Sequence, residues 1–117
     1  MRCFTVFLCL AQAGCSFSEA VLPIAPSAPD AVALGKTIEN VSAQAKLPPP
    51  IEVSSIRAAH PISPAEWMMC VKSSAPDQLR RYAVFMRNNE MVAFRLAVLI
   101  DRCEHETFHP FVKTPYP

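Results

Sequence analysis

The stretch Trp67–Cys103, WMMCVKSSAPDQLRRYAVFMRNNEMVAFRLAVLIDRC, decides the fold. It opens on a short, continuously apolar run, Trp67 to Val71, of the kind that forms a strand covered on both faces. Pro76-Asp77 supplies turn chemistry further on. Tyr82–Arg87 and Glu90–Ala97 then flank Asn88-Asn89. Asparagine tolerates the positive φ that both central positions of a two-residue turn demand, which predicts a β-hairpin. Counting outward from the turn, Arg87 faces Glu90, Met86 faces Met91, Phe85 faces Val92, Val84 faces Ala93, Ala83 faces Phe94 and Tyr82 faces Arg95. This register sends Phe85, Val92, Phe94 and Leu96 to the core. The opposite face carries Tyr82, Met86, Met91 and Arg95, and is expected either to lie under a helix or to stay open as an interaction face for a partner. Leu96–Cys103 fits a continuing strand, or a helix through Leu96, Leu99, Ile100 and Cys103. Periodicity leaves both open.

Cys70 and Cys103 stand at the two ends of this unit and are expected to be bonded to each other. A core built on Trp67 to Phe111 is about the size at which packing alone is marginal. Closing the loop between the two cysteines should stabilise it by roughly 3–4 kcal/mol in the chain-entropy account.

Upstream, Asp30 has the chemistry of a helix N-cap. Leu34, Ile38, Val41 and Ala45 follow as one apolar stripe, predicting an amphipathic helix over residues 31–45 that covers a face of its own domain. Gly35 and the β-branched Thr37, Ile38 and Val41 weaken its intrinsic propensity. Pro48-Pro49-Pro50 ends it, because a residue before proline is pushed out of the α region. From Pro48 to Pro64 the chain reads as a proline-rich linker, with Ile51, Val53 and Ile56 alternating loosely with polar residues. The expected fold is α+β: a small antiparallel sheet of about three strands with its hairpin at Asn88-Asn89, one amino-terminal helix, and a proline-rich linker.

Composition bounds the function. The 117 residues carry a formal net charge of +1, too weak a field to argue for nucleic acid or an acidic partner at the level of the whole chain. Twelve prolines accompany only two glycines, and nine of the twelve precede residue 77. With so little glycine there is no phosphate-cradling loop, and no Gly-x-Ser-x-Gly elbow occurs. One literal motif is present. His105-Glu106-Thr107-Phe108-His109 matches His-Glu-x-x-His, in which two histidines one helical turn apart bind zinc and the glutamate activates a water. Pro110 disfavours helical geometry at His109, and no third ligand follows it. No Cys-x-x-Cys spacing exists for a structural zinc site.

The amino terminus reads as a targeting segment. Met1-Arg2 precedes the apolar run Cys3–Ala11, too short to span a bilayer and the right length for a signal-peptide core. Ala13-Gly14-Cys15 after it resembles the lipobox of bacterial lipoproteins, with Gln12 where an aliphatic residue is usual. The resemblance implies cleavage before Cys15 and acylation of its thiol. Ala11-Gln12-Ala13 also fits ordinary signal peptidase. Cleavage before Cys15 discards Cys3 and Cys9, gives Cys15 to the lipid, and leaves Cys70 and Cys103 as a pair. Cleavage after Ala13 leaves Cys15 as an odd thiol in an oxidising compartment. Residues 1–14 are thus expected to be a signal peptide, 15–30 a semi-extended tether, 31–64 the helix and linker, and 65–117 the disulfide-stapled domain.

Taken together, the lipobox, the proline-rich tether and a compact tail with two cysteines resemble the small uncharacterised lipoproteins of Gram-negative bacteria. That resemblance implies a periplasm-facing, membrane-anchored protein, and Ser16 after the modified cysteine suits the outer membrane. The expected role is structural or protein-binding rather than catalytic, with the membrane as partner through Cys15, an envelope protein as a further partner, and no cofactor. The competing expectation is an exported metal-binding or hydrolytic protein using His105, Glu106 and His109.

Overall fold

The computed structural model describes residues 27–112, so the expected signal peptide and lipidation at Cys15 lie outside the described residues. Within them the chain forms one helix, α1 (Ala31–Gln44), and six strands, β1 (Ile51–Val53), β2 (Arg57–Ala58), β3 (Trp67–Ser73), β4 (Arg81–Arg87), β5 (Glu90–Leu96) and β6 (His109–Pro110). The strand order is β5-β4-β3-β1-β6, with β2 also pairing β3, and every pairing is antiparallel. The class is α+β. The sheet exceeds the expected three strands because β1, β2 and β6 are each two or three residues long, below what a period-2 pattern can reveal.

Two of those short strands come from the stretch 48–64, which is therefore not a linker. Ile51 pairs with Ser73 and Val53 with Val71, placing β1 against the centre of the sheet. The alternation of Ile51 and Val53 with polar neighbours is the strand signal, and the preceding prolines only start the strand, where a missing N–H costs nothing.

Asp30 caps α1: its carboxylate accepts from Ala33 N–H at 2.8 Å. It also ties the helix to the hairpin, since Asp30 N–H donates to Asn89 Oδ1 at 2.9 Å and Asn89 Nδ2 donates to Asp30 Oδ2 at 3.2 Å. Asn88 and Asn89 both adopt positive φ, 52° and 66°, as a two-residue turn requires. Asp30→Ala removes a cap and one link to the turn. It is expected to cost about 1 kcal/mol, or roughly 4–8 °C in melting temperature for a domain of this size. An unchanged thermal melt would show that packing alone positions the helix.

The hairpin register holds only beside the turn. Arg87 pairs with Glu90 and Met86 with Met91, but Phe85 then pairs with Ala93, Val84 with Phe94, Ala83 with Arg95 and Tyr82 with Leu96. Val92 is the extra residue of a β-bulge, and every residue after it changes face relative to the continuous register. The expected core set is corrected accordingly. Phe85 is fully buried, whereas Val92 and Leu96 are about half exposed, 46% and 52%.

The sheet is covered on both faces. On one, Ile38, Val41 and Leu47 pack on Val53, Met69, Val71, Tyr82, Val84 and Met86, with Met91 and Phe94 at the margin. On the other, Ala65, Met68, Cys70, Ala83, Phe85 and Cys103 cluster, with Phe108 at their edge. After Leu96 the chain is neither strand nor α-helix. Two 3-10 turns, Leu99–Asp101 and Cys103–His105, are joined at Arg102 in the left-handed region (φ 56°). They fold the carboxy-terminal segment back over the second face, where Cys70 and Cys103 form a disulfide with Cα atoms 5.7 Å apart. Both cysteines are buried, in the middle of a cluster too small to be robust alone.

Candidate functional site

The carboxy-terminal segment is held to the sheet by a polar clasp around Asp101, a carboxylate with no exposed surface. Arg95 grips it with two donors, Nη2 to Oδ1 at 2.8 Å and Nε to Oδ2 at 3.2 Å. Val98 N–H donates to Oδ2 at 2.9 Å. Arg57 reaches in from β2, donating to the Asp101 carbonyl and, through Nε, to Glu106 Oε2 at 2.9 Å. Burial pushes the Asp101 carboxyl up, but the hydrogen bonds from Arg95 and Val98 and the charges of Arg95 and Arg57 outweigh it. The carboxyl is held below its usual range. The Arg95 guanidinium also lies over the Phe85 ring, 4.9 Å from its centre.

Beside this clasp, at the start of β4 and the end of β5, Arg81, Ala97, Val98, Leu99, Cys103 and Glu104 line an open cavity of about 410 Å³. Leu99 in this lining is 83% exposed, and Leu79, two residues before Arg81 in the chain, is 86% exposed. A guanidinium and a carboxylate in a cavity that also offers Ala97, Val98 and Leu99 can bind and orient a chain.

The residues expected to form an interaction face do not form one. Tyr82 and Met86 are buried beneath α1, and Met91 packs at the margin of that core. The bulge sends Arg95 to the opposite face, so its neighbour is Asp101, while Tyr82 packs on Phe94 with ring centres 6.1 Å apart. The zinc signature is likewise dispersed. His105 ends a 3-10 turn, Glu106 is extended (φ −87°, ψ 151°) and bound to Arg57, and His109 lies in β6. The two histidines therefore do not share a helical face, the arrangement that the motif requires. Among the described residues no three of His, Cys, Asp and Glu gather as metal ligands.

The sequence reading missed Asp101, Arg57, Arg81 and Glu104. Asp101 carried a signal: a lone carboxylate between Val98-Leu99-Ile100 and a half-cystine is a carboxylate that must find a buried partner. Arg57 carried none. The chain matches no family model, no curated protein and no solved structure.

Proposed function

We propose that this protein is a non-catalytic, lipid-anchored binding module of the bacterial cell envelope. The observation that carries the reading is the buried Cys70–Cys103 disulfide. Such bonds form and persist in oxidising compartments, which favours export. With those two cysteines paired, Cys15 is the thiol left over after cleavage of the apolar leader, and it stands in the lipobox-like Ala13-Gly14-Cys15. Residues 15–30 then serve as a proline-punctuated tether leading into the capped helix. Anchoring through a lipid is also compatible with the fold, since no helix among the described residues is long and apolar enough to cross a membrane. The outer membrane is the preferred destination, from Ser16.

The test is metabolic labelling with an alkyne fatty acid in cells expressing the full chain. Wild type is expected to take up label and to fractionate with membranes, and Cys15→Ser to do neither. Label persisting in Cys15→Ser, or an unlabelled wild type, would remove the anchor from this reading.

A further inference from the structure

The cavity beside the clasp has two properties that together specify an occupant. The first is charge. The described residues include Arg57, Arg80, Arg81, Arg87, Arg95 and Arg102. Arg57, Arg87 and Arg95 each hold a carboxylate of the chain. Arg80, Arg81 and Arg102 are exposed and have no ion-pair partner among the described residues. Arg81 lines the cavity, Arg80 precedes it in the chain, and Arg102 adjoins the lining residue Cys103. Arg81 and Glu104 are the charged lining residues, and the exposed Arg80 and Arg102 next to the lining in the chain stand against the exposed Asp77, which leaves one arginine in excess.

The second property is an open sheet edge leading into the same place. β5 is terminal in the strand order, and among the described residues nothing pairs with its outer side. Ala97 N–H donates to the Arg81 carbonyl at 2.9 Å. Backbone groups alternate in direction along an antiparallel strand, so those of Leu96 and Phe94 turn outward, away from β4. The bulge at Val92 interrupts this alternation towards the hairpin, which leaves the straight, unpaired segment at the cavity end. β5 carries neither proline nor lysine, and the bulge that protects its edge, at Val92, lies towards the hairpin and not at the cavity end.

We propose that an extended, acidic segment of a partner protein adds to the outer edge of β5 at Phe94–Leu96 and runs into the cavity, with apolar side chains on Val98 and Leu99 and carboxylates facing Arg80, Arg81 and Arg102. Strand addition explains why a shallow, open cavity can suffice: the main-chain hydrogen bonds supply what enclosure supplies to a small ligand. An anionic membrane surface is the other chemistry that exposed leucines and arginines could meet. The concave lining and the outward backbone groups favour a peptide. The inference deepens the reading of the protein as an envelope binding module. Its test uses purified protein, so the state of Cys15 does not decide its outcome and the two readings fail separately.

The experiment measures fluorescence anisotropy of a short fluorescein-labelled peptide alternating glutamate with leucine, titrated with the full chain. Saturable binding that weakens as salt is raised is expected. Arg81→Glu should weaken it on the order of tenfold, with Arg80→Glu as the second variant if Arg81→Glu does not fold. A lysine–leucine peptide should not bind, nor should the glutamate peptide N-methylated at alternate amides. Equal binding by either control, or binding indifferent to both charge reversals, overturns the proposal. So does absence of peptide binding together with Arg81-dependent sedimentation on phosphatidylglycerol vesicles, which would make this surface a membrane contact.

Discussion

Replacing Cys70 and Cys103 together by alanine is expected to lower stability by about 3–4 kcal/mol, and the melting temperature by on the order of 20 °C. The two cysteines are 33 residues apart in sequence, and in the unfolded chain their bond removes the freedom of a loop of that length. In the folded protein they tie β3, in the middle of the sheet, to a segment with few other apolar anchors. Ala97, Cys103 and Phe108 are its contributions to the second-face cluster, Phe111 packs at the margin of the first, and β6 adds only two residues of strand. A loss of 3–4 kcal/mol is a large share of the net stability of so small a domain. Thermal melts of the wild type with and without reductant, and of the double alanine variant, should agree closely with one another once reduced. If reduction leaves the melt where it was, the Arg57 and Arg95 contacts hold the segment by themselves and the disulfide adds little.

Asp101→Asn is expected to cost about 2–3 kcal/mol at neutral pH. The amide keeps the shape but supplies one acceptor where the carboxylate supplies two. Its NH₂ would also be turned towards Arg95 or the Val98 N–H, donor against donor. The upper end of the range for a broken buried pair does not apply, because the Arg95 side chain is 38% exposed and can be rehydrated. The pH dependence follows from the direction of the shift. The folded carboxyl lies below its ordinary range, so its contribution is complete above the unfolded pKa, about 4, and is lost as pH falls through the folded value. Wild type should therefore destabilise on acidification more steeply than Asp101→Asn, and the two unfolding curves should converge at low pH. Parallel losses in the two proteins would place the acid sensitivity elsewhere, with Glu66 the next carboxyl to examine because Arg87 holds it low by a hydrogen bond.

Much of the frame was readable because it rests on local chemistry. Asp30 followed by Leu34, Ile38 and Val41 describes a capped helix with a buried stripe, and Asn88-Asn89 describes the turn. Two cysteines in apolar runs pointed to the disulfide for a different reason, namely that packing alone is marginal in so small a core. What was not readable depended on partners far along the chain. β1, β2 and β6 are strands because β3 and β1 offer them an edge, not because two or three residues carry a preference. The bulge at Val92 is the costliest omission. No residue type announces it, yet it moves Arg95 from beside Tyr82 to beside Asp101, while Tyr82, Met86 and Met91 keep their common face under α1. The cavity end was hidden for the same reason, since Arg81 and Glu104 line one cavity only once the carboxy-terminal segment has folded back.

The arrangement of the disulfide also sets an order of events in time. Cys70 and Cys103 are brought together by everything between them: β3 must meet β4, the hairpin must close, and the 3-10 turns must fold back. Hairpins close in microseconds, whereas thiol oxidation takes seconds to hours. In a newly made chain the meander β3-β4-β5 therefore has ample time to find its register before the bond can form. Oxidation then records that register permanently instead of directing it. The outermost pairing, β1 with β6 through Glu52–Pro110 and Val53–His109, spans the longest stretch of any strand pair here, and it becomes inexpensive to close only after the covalent link has shortened the path between them.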